Sequence, residues 1–96
     1  MNSEPQLLKE GGGAYYLRGS VDFHSVTDLA KEDILDESAE VSIDLGGLLS
    51  VDSSVVALLI QWQRQAAQNG IPLRFLNIPE QLKPLITLYD LEDIIQ

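Results

Sequence analysis

In the middle of this chain the hydrophobic period changes from two residues to about 3.6, and that change constrains the fold more than any other feature. Val41-Ser42-Ile43-Asp44-Leu45 alternates strictly between apolar and polar, as a strand with one buried face does, and the alternation stops at Gly46-Gly47. Asp52-Ser53-Ser54 follows, any of which can cap a helix, and Val55, Leu58, Leu59, Trp62 and Ala66 then recur on one helical face. Asn69-Gly70 is a helix-stop pair. Behind Pro72, Leu73-Arg74-Phe75-Leu76 with Ile78 reads as the next strand. A strand-helix-strand run of this kind sets its two strands parallel, joined by a right-handed crossover.

The flanking segments extend the pattern. Gln6 to Lys9 and Ala14 to Arg18 are short apolar-bearing runs around Glu10-Gly11-Gly12-Gly13, whose glycines suit a hairpin loop, so the chain is predicted to open on two antiparallel strands. Ser25-Val26-Thr27-Asp28 approximates a capping box, and Val26, Leu29, Ala30 and Ile34 follow at helical spacing, which predicts a first helix from about Ser25 to about Leu35. A third helix behind Pro79 carries Leu82, Leu85, Ile86 and Tyr89; Pro84 must fall in its first turn, so its start can lie later than Pro79. The expected architecture is α/β: a mixed four- to five-stranded sheet with one antiparallel edge strand and helices packed on it. At 96 residues with 45% hydrophobic content the chain can bury one core, and residues 1–96 are expected to form a single domain.

Charge and composition exclude several functions. Six basic residues against 15 acidic give a net charge of −9, which repels phosphate backbones and anionic lipid headgroups, so neither nucleic acid nor a membrane surface is an expected partner. Cysteine is absent, removing disulfides, thiolate nucleophiles and Cys-containing metal sites, and fitting a reducing compartment. The longest strongly apolar run, Val55 to Ile60, is far shorter than the roughly 20 residues of a membrane span. Met1-Asn2-Ser3-Glu4-Pro5-Gln6 lacks the basic and apolar regions of a signal peptide, so the chain is expected to stay in the cytoplasm.

A site is expected where the loop behind the third strand delivers Asp52 and Ser53 to the carboxyl edge of the sheet. The first N–H groups of the second helix lack intrahelical partners and the macrodipole is positive there, so a hydroxyl, carboxylate or phosphate is well accommodated, a phosphate on Ser53 included. Capping alone also explains Ser53. Val55, Val56, Ala57, Leu58, Leu59 and Ile60 make the first two turns apolar all round. Either the helix is buried on several faces, or part of this surface awaits a partner protein.

Catalysis has little support. Ser53 as nucleophile with His24 as base and Asp22 or Asp52 as orienter lacks the glycines of a nucleophile elbow, and His24 is the sole histidine. Glu32-Asp33 and Glu92-Asp93 are adjacent in sequence and read as solvated faces; no metal site and no Gly-rich phosphate loop is present. No cofactor is expected.

The stretch Val41-Ser42-Ile43-Asp44-Leu45-Gly46-Gly47-Leu48-Leu49-Ser50-Val51-Asp52-Ser53-Ser54 resembles the central signature of the STAS domain family. Gly19-Ser20-Val21-Asp22 resembles the family's close of the second strand, and Asn69-Gly70-Ile71-Pro72-Leu73 its turn into the fourth; the resemblance spans nearly the whole chain. Ser53-Ser54-Val55-Val56-Ala57-Leu58-Leu59 and Leu88-Tyr89-Asp90-Leu91 look closest to the small STAS subunit of a phospholipid-trafficking ABC transporter that maintains outer-membrane lipid asymmetry. That resemblance implies a non-catalytic protein that sits on the cytoplasmic ATPase subunit and supports it, contacting it through Asp52, Ser53, Ser54, Val55 and Val56, with no small-molecule substrate and no lipid contact of its own. The family also includes anti-sigma factor antagonists, in which a serine placed like Ser53 is phosphorylated. Antagonist-type members usually carry a glycine after the paired hydroxyl residues, where Val55 and Val56 stand here; β-branched residues there favour constitutive apolar contact over access by a kinase.

Overall fold

The computed structural model describes residues 4–32, 34, 39–50 and 52–91. Four strands, β1 (Gln6–Gly11), β2 (Ala14–Ser20), β3 (Val41–Ser50) and β4 (Leu73–Leu76), form one sheet in the order β1-β2-β3-β4. β1 and β2 are antiparallel, whereas β2 with β3 and β3 with β4 are parallel. Helix α1 (Phe23–Ala30) joins β2 to β3, α2 (Ser53–Gln68) joins β3 to β4, and a 3₁₀ turn (Glu80–Leu82) leads into α3 (Lys83–Leu88). The predicted mixed α/β sheet with one antiparallel edge strand is what the chain forms, with four strands.

The hairpin closes on two residues, Gly12 and Gly13, both at positive φ (61° and 83°), because Gly11 already pairs with Ala14. Positive φ at both central positions is the I′ geometry whose twist matches that of the flanking strands.

Alternation sorts the sheet into two faces. Tyr15 and Leu17 of β2, Val41, Ile43 and Leu45 of β3 and Phe75 of β4 are buried in one cluster with Leu29, Val55, Val56, Leu58, Leu59, Trp62, Leu82 and Ile86 from the helical side. Tyr16, Arg18, Ser42, Asp44, Arg74 and Leu76 alternate with them and are less buried. Helices therefore cover one face, and α2 lies between α1 and α3, both of which contact it.

Several boundaries differ from the sequence expectation. Helix α1 starts at Phe23, not near Ser25, because Asp22 is the N-cap: its Oδ1 accepts from the N–H groups of His24 (2.9 Å) and Ser25 (3.0 Å), and the Ser25 hydroxyl completes the box by accepting from the Asp22 N–H (3.0 Å). The backbone N–H of Ser25, first, and then its hydroxyl and the His24 N–H hold the Asp22 carboxyl below its ordinary value, so the capped helix favours the carboxylate. The helix ends at Ala30, where the Lys31 N–H turns back to Asp28 and Leu29. Ile34 is nevertheless fully buried, outside the helix; the other predicted positions up to Leu35 fall partly outside the described residues.

Gly46-Gly47 does not end β3. The strand runs on to Ser50 through a bulge, where the register steps from Tyr16↔Asp44 to Arg18↔Gly47. A Cβ on Gly47 would lie 2.5 Å from the Tyr16 hydroxyl, so the glycine marks a close approach within a strand, not a stop. Ile78 lies outside β4, since Asn77 takes a positive φ of 54° and ends it. Pro84 stands at the start of α3, which begins later than Pro79, as its chemistry demands.

Candidate functional site

β2 and β3 finish side by side with Ser20 and Ser50 as register partners, and in sequence a Val-Asp pair separates each strand end from the helix that follows. Ser20-Val21-Asp22 precedes Phe23 at the first position of α1; Ser50-Val51-Asp52 precedes Ser53 at the first position of α2. Two aspartate N-caps thus stand at the carboxyl edge of parallel strands, where open α/β sheets present their sites.

In the second turn Asp52 is the cap: its backbone is extended (φ −151°, ψ −167°) and its Oδ1 accepts from the Ser54 N–H at 2.8 Å. Ser53 is exposed, and its hydroxyl makes no hydrogen bond to a described residue. Capping is therefore not its role. An accessible hydroxyl at the positive end of a 16-residue helix, beside a carboxylate, can meet a partner or carry a phosphate.

The three remaining residues of the expected contact set do not reach the surface. Ser54 is 2% exposed, Val55 0% and Val56 4%. Of the apolar start of α2, Val55, Val56, Leu58 and Leu59 are buried, Ile60 is half-buried and Ala57 is exposed; α1 and α3 flank the helix, and Val55 and Val56 belong to the domain's own core. The expectation of a valine contact patch is corrected accordingly. Asp52 and Ser53 remain as surface residues of the five.

Burial of Ser54 has a measurable effect. Its Oγ has no hydrogen-bond partner among the described residues. An unpartnered buried hydroxyl carries a desolvation cost with no bond to offset it. Ser54→Ala is expected to leave the chain equally stable or raise its stability by up to about 1 kcal/mol, read by urea unfolding; a loss larger than that would show that the hydroxyl is satisfied and the reading mistaken.

Sequence reasoning missed two residues at this edge. Phe23, at the first position of α1, is 75% exposed, and Leu49, next to Ser50 in β3, is 70% exposed. A notch of about 130 Å³ lined by Leu48, Leu49, Ser50, Pro79 and Gln81 adjoins the second turn, because β3 runs six residues beyond the Asp44↔Leu76 pair that ends β4. Asp44 steadies this overhang: it accepts from the Gly46 N–H at 2.8 Å and from Asn77 Nδ2 at 3.1 Å, tying the bulge of β3 to the turn after β4. His24 is exposed on α1, and no hydrogen bond joins it to Ser53 among the described residues.

The arrangement defines a small α/β domain that presents a capped helix start with an exposed serine at the carboxyl end of its parallel strands. The chain belongs to the STAS domain family: the family model described as "Mlab, STAS domain" matches residues 13–96. STAS domains mediate protein-protein contacts. Comparison with curated proteins yields no match. The fold is similar to that of the anti-sigma factor antagonist SpoIIAA in its unphosphorylated form, with a TM-score of 0.73 and 17% sequence identity over 97% of this chain and 86% of that one. No described helix is long and apolar enough to cross a membrane.

Proposed function

We propose that this chain, folded as one domain over residues 1–96, is a non-catalytic subunit that binds the ATPase of a phospholipid-trafficking ABC transporter and supports its activity. It works in the cytoplasm, held at the inner membrane through its partner, with no lipid contact, cofactor or small-molecule substrate. The observation that carries this reading is the exposed, uncommitted hydroxyl of Ser53 beside the Asp52 cap, in a chain whose match over residues 13–96 is to the MlaB-labelled STAS model.

The paired measurement is thermal unfolding of the free chain and co-purification with the ATPase for wild type, Ser53→Ala and Ser53→Glu. Ser53→Ala removes no cap and should change stability by less than about 0.5 kcal/mol. Ser53→Glu should be tolerated by the free chain, since a negative charge at a helix N-terminus is favourable by a few tenths to about 1 kcal/mol. In a desolvated interface the same carboxylate lacks a partner, and binding should weaken by about 2 kcal/mol or more. If folded Ser53→Glu binds as wild type does, this edge is not the contact and the proposal fails.

A second reading, an anti-sigma factor antagonist switched by phosphorylation of Ser53, is favoured by the backbone likeness to SpoIIAA together with the accessible hydroxyl. Mass spectrometry of the chain from its native cell separates the two: stoichiometric phosphate on Ser53 supports the switch, and co-purified ATPase supports the subunit.

A further inference from the structure

We infer that the hollow on the helix-free face of the sheet binds a small organic oxyanion, a carboxylate or phosphate head on an apolar body, with Arg18 and Tyr16 holding the head. The hollow measures about 700 Å³, in the range of small-molecule sites, and Glu4, Gln6, Tyr16 and Arg18 line it together with the bulged part of β3. Tyr16 and Arg18 fall on this face because Tyr15 and Leu17, which alternate with them, are buried on the helical side. Two glycines shape the hollow. A Cβ on Gly47, the register partner of Arg18, would lie 2.5 Å from the Tyr16 hydroxyl and 2.7 Å from the Arg18 Cβ, so a bare backbone is what lets the phenol lie beside the arginine. Gly19 admits the Glu4 carbonyl oxygen to 2.5 Å from where its own Cβ would stand, which brings the chain entering β1 in as a wall. Bulges such as the one in β3 re-aim side chains beside sites.

The donors identify the head. Arg18 gives Nε and Nη2 to a single acceptor, Gln6 Oε1, at 2.9 and 2.6 Å. That bond fixes the plane of the guanidinium and leaves its Nη1–Nη2 end open, the fork that matches two oxygens of a carboxylate or phosphate. No carboxylate among the described residues pairs with Arg18, that of Glu4 in the same hollow included. The Tyr16 hydroxyl, against Gly47, likewise makes no hydrogen bond to a described residue and adds a donor. Leu48 and Leu49 line the hollow as well, and with the Tyr16 ring they offer an apolar body its contact area. The net charge of −9 opposes an anion at long range and Glu4 opposes it nearby, so one small head fits where a polyanion does not, and Kd is expected at about 1 mM. The molecule is held and not converted, and Ser53 takes no part, so this site stands or falls apart from the docking edge.

The test is an amide-resolved NMR titration of the full chain at constant ionic strength with phenyl phosphate, benzoate and inorganic phosphate, for wild type, Arg18→Gln, Arg18→Lys, Tyr16→Phe and Arg74→Gln. Phenyl phosphate or benzoate should give saturable shifts at Gly19 and from Gly46 to Leu48, and the tighter of the two names the head. Inorganic phosphate lacks the apolar body and should bind about threefold or more weakly than phenyl phosphate. Arg18→Gln should weaken binding about tenfold or more and Tyr16→Phe about threefold; Arg18→Lys keeps the charge but loses the fork and should still fall about threefold. Arg74→Gln is the charge-matched control, since Arg74 is exposed on the same face but lies outside the hollow, and its affinity should equal that of wild type. The site is overturned by no saturable shift up to about 10 mM, by equal losses in Arg18→Gln and Arg74→Gln, or by shifts centred on Ser53 and Ser54 instead. Inorganic phosphate binding as tightly as phenyl phosphate overturns the apolar body. If Arg18→Gln does not fold, Arg18→Lys decides, and wild-type affinity in it sinks the fork.

Discussion

Trp62→Ala is expected to cost about 3–5 kcal/mol, a large part of the stability of a domain of this size, which is commonly about 5–15 kcal/mol. Trp62 is the largest of the fully buried side chains, and it stands on the same face of α2 as Leu58 and Ala66, where the sheet and the two flanking helices converge. Removing it leaves a cavity that a helix held on several sides cannot collapse to fill. Trp62→Phe is the control. It keeps most of the volume and deletes an indole N–H that has no hydrogen-bond partner among the described residues, so its loss should stay near or below about 1.5 kcal/mol. Urea unfolding followed by circular dichroism compares the two; equal losses would mean that the indole N–H is bonded after all and that volume does not dominate.

The second large effect is expected at Gly19. Its φ is +95°, and a Cβ there would lie 2.5 Å from the carbonyl oxygen of Glu4 and 3.0 Å from the Pro5 Cα. Both objections are to the backbone, so no side-chain rotation relieves them. Gly19→Ala should cost about 1–3 kcal/mol for the conformation alone, with displacement of the chain entering β1 in addition. Hydrogen exchange should show the loss concentrated in β1 and its pairing with β2. Gly70→Ala is the reference, because Gly70 is also at positive φ (+66°) but has open space around its missing Cβ. If the two substitutions cost the same, the approach of Glu4 contributes nothing and the explanation falls.

What could be read in advance followed from periodicity and end signals. Helix α2 was legible because its cap, its apolar stripe and its Asn69-Gly70 stop agree, and the parallel pairing followed from alternating strands and helices. The start of α1 was hidden because Asp22 closes its box with Ser25, whereas the usual signature has glutamate or glutamine there. Gly46-Gly47 was misread because a glycine pair signals a turn and a bulge equally well; only the Tyr16 hydroxyl on the neighbouring strand decides between them. The burial of Val55 and Val56 was open because period alone does not count the layers on a helix. Phe23 and Leu49 carried no signal at all, since one apolar residue beside a turn looks like any core residue until its exposure is known.

The strands stand in the sheet in the order in which they occur along the chain. As the polypeptide is synthesised, each new parallel strand therefore finds its partner already made: the hairpin of β1 and β2 offers an edge to β3, and β3 then offers one to β4. Among the described strands no pairing skips one, so none is held back for a segment not yet emerged. The entropy of closing each crossover grows only slowly with its length, so the two helix-bearing connections cost the sheet little more than shorter loops would.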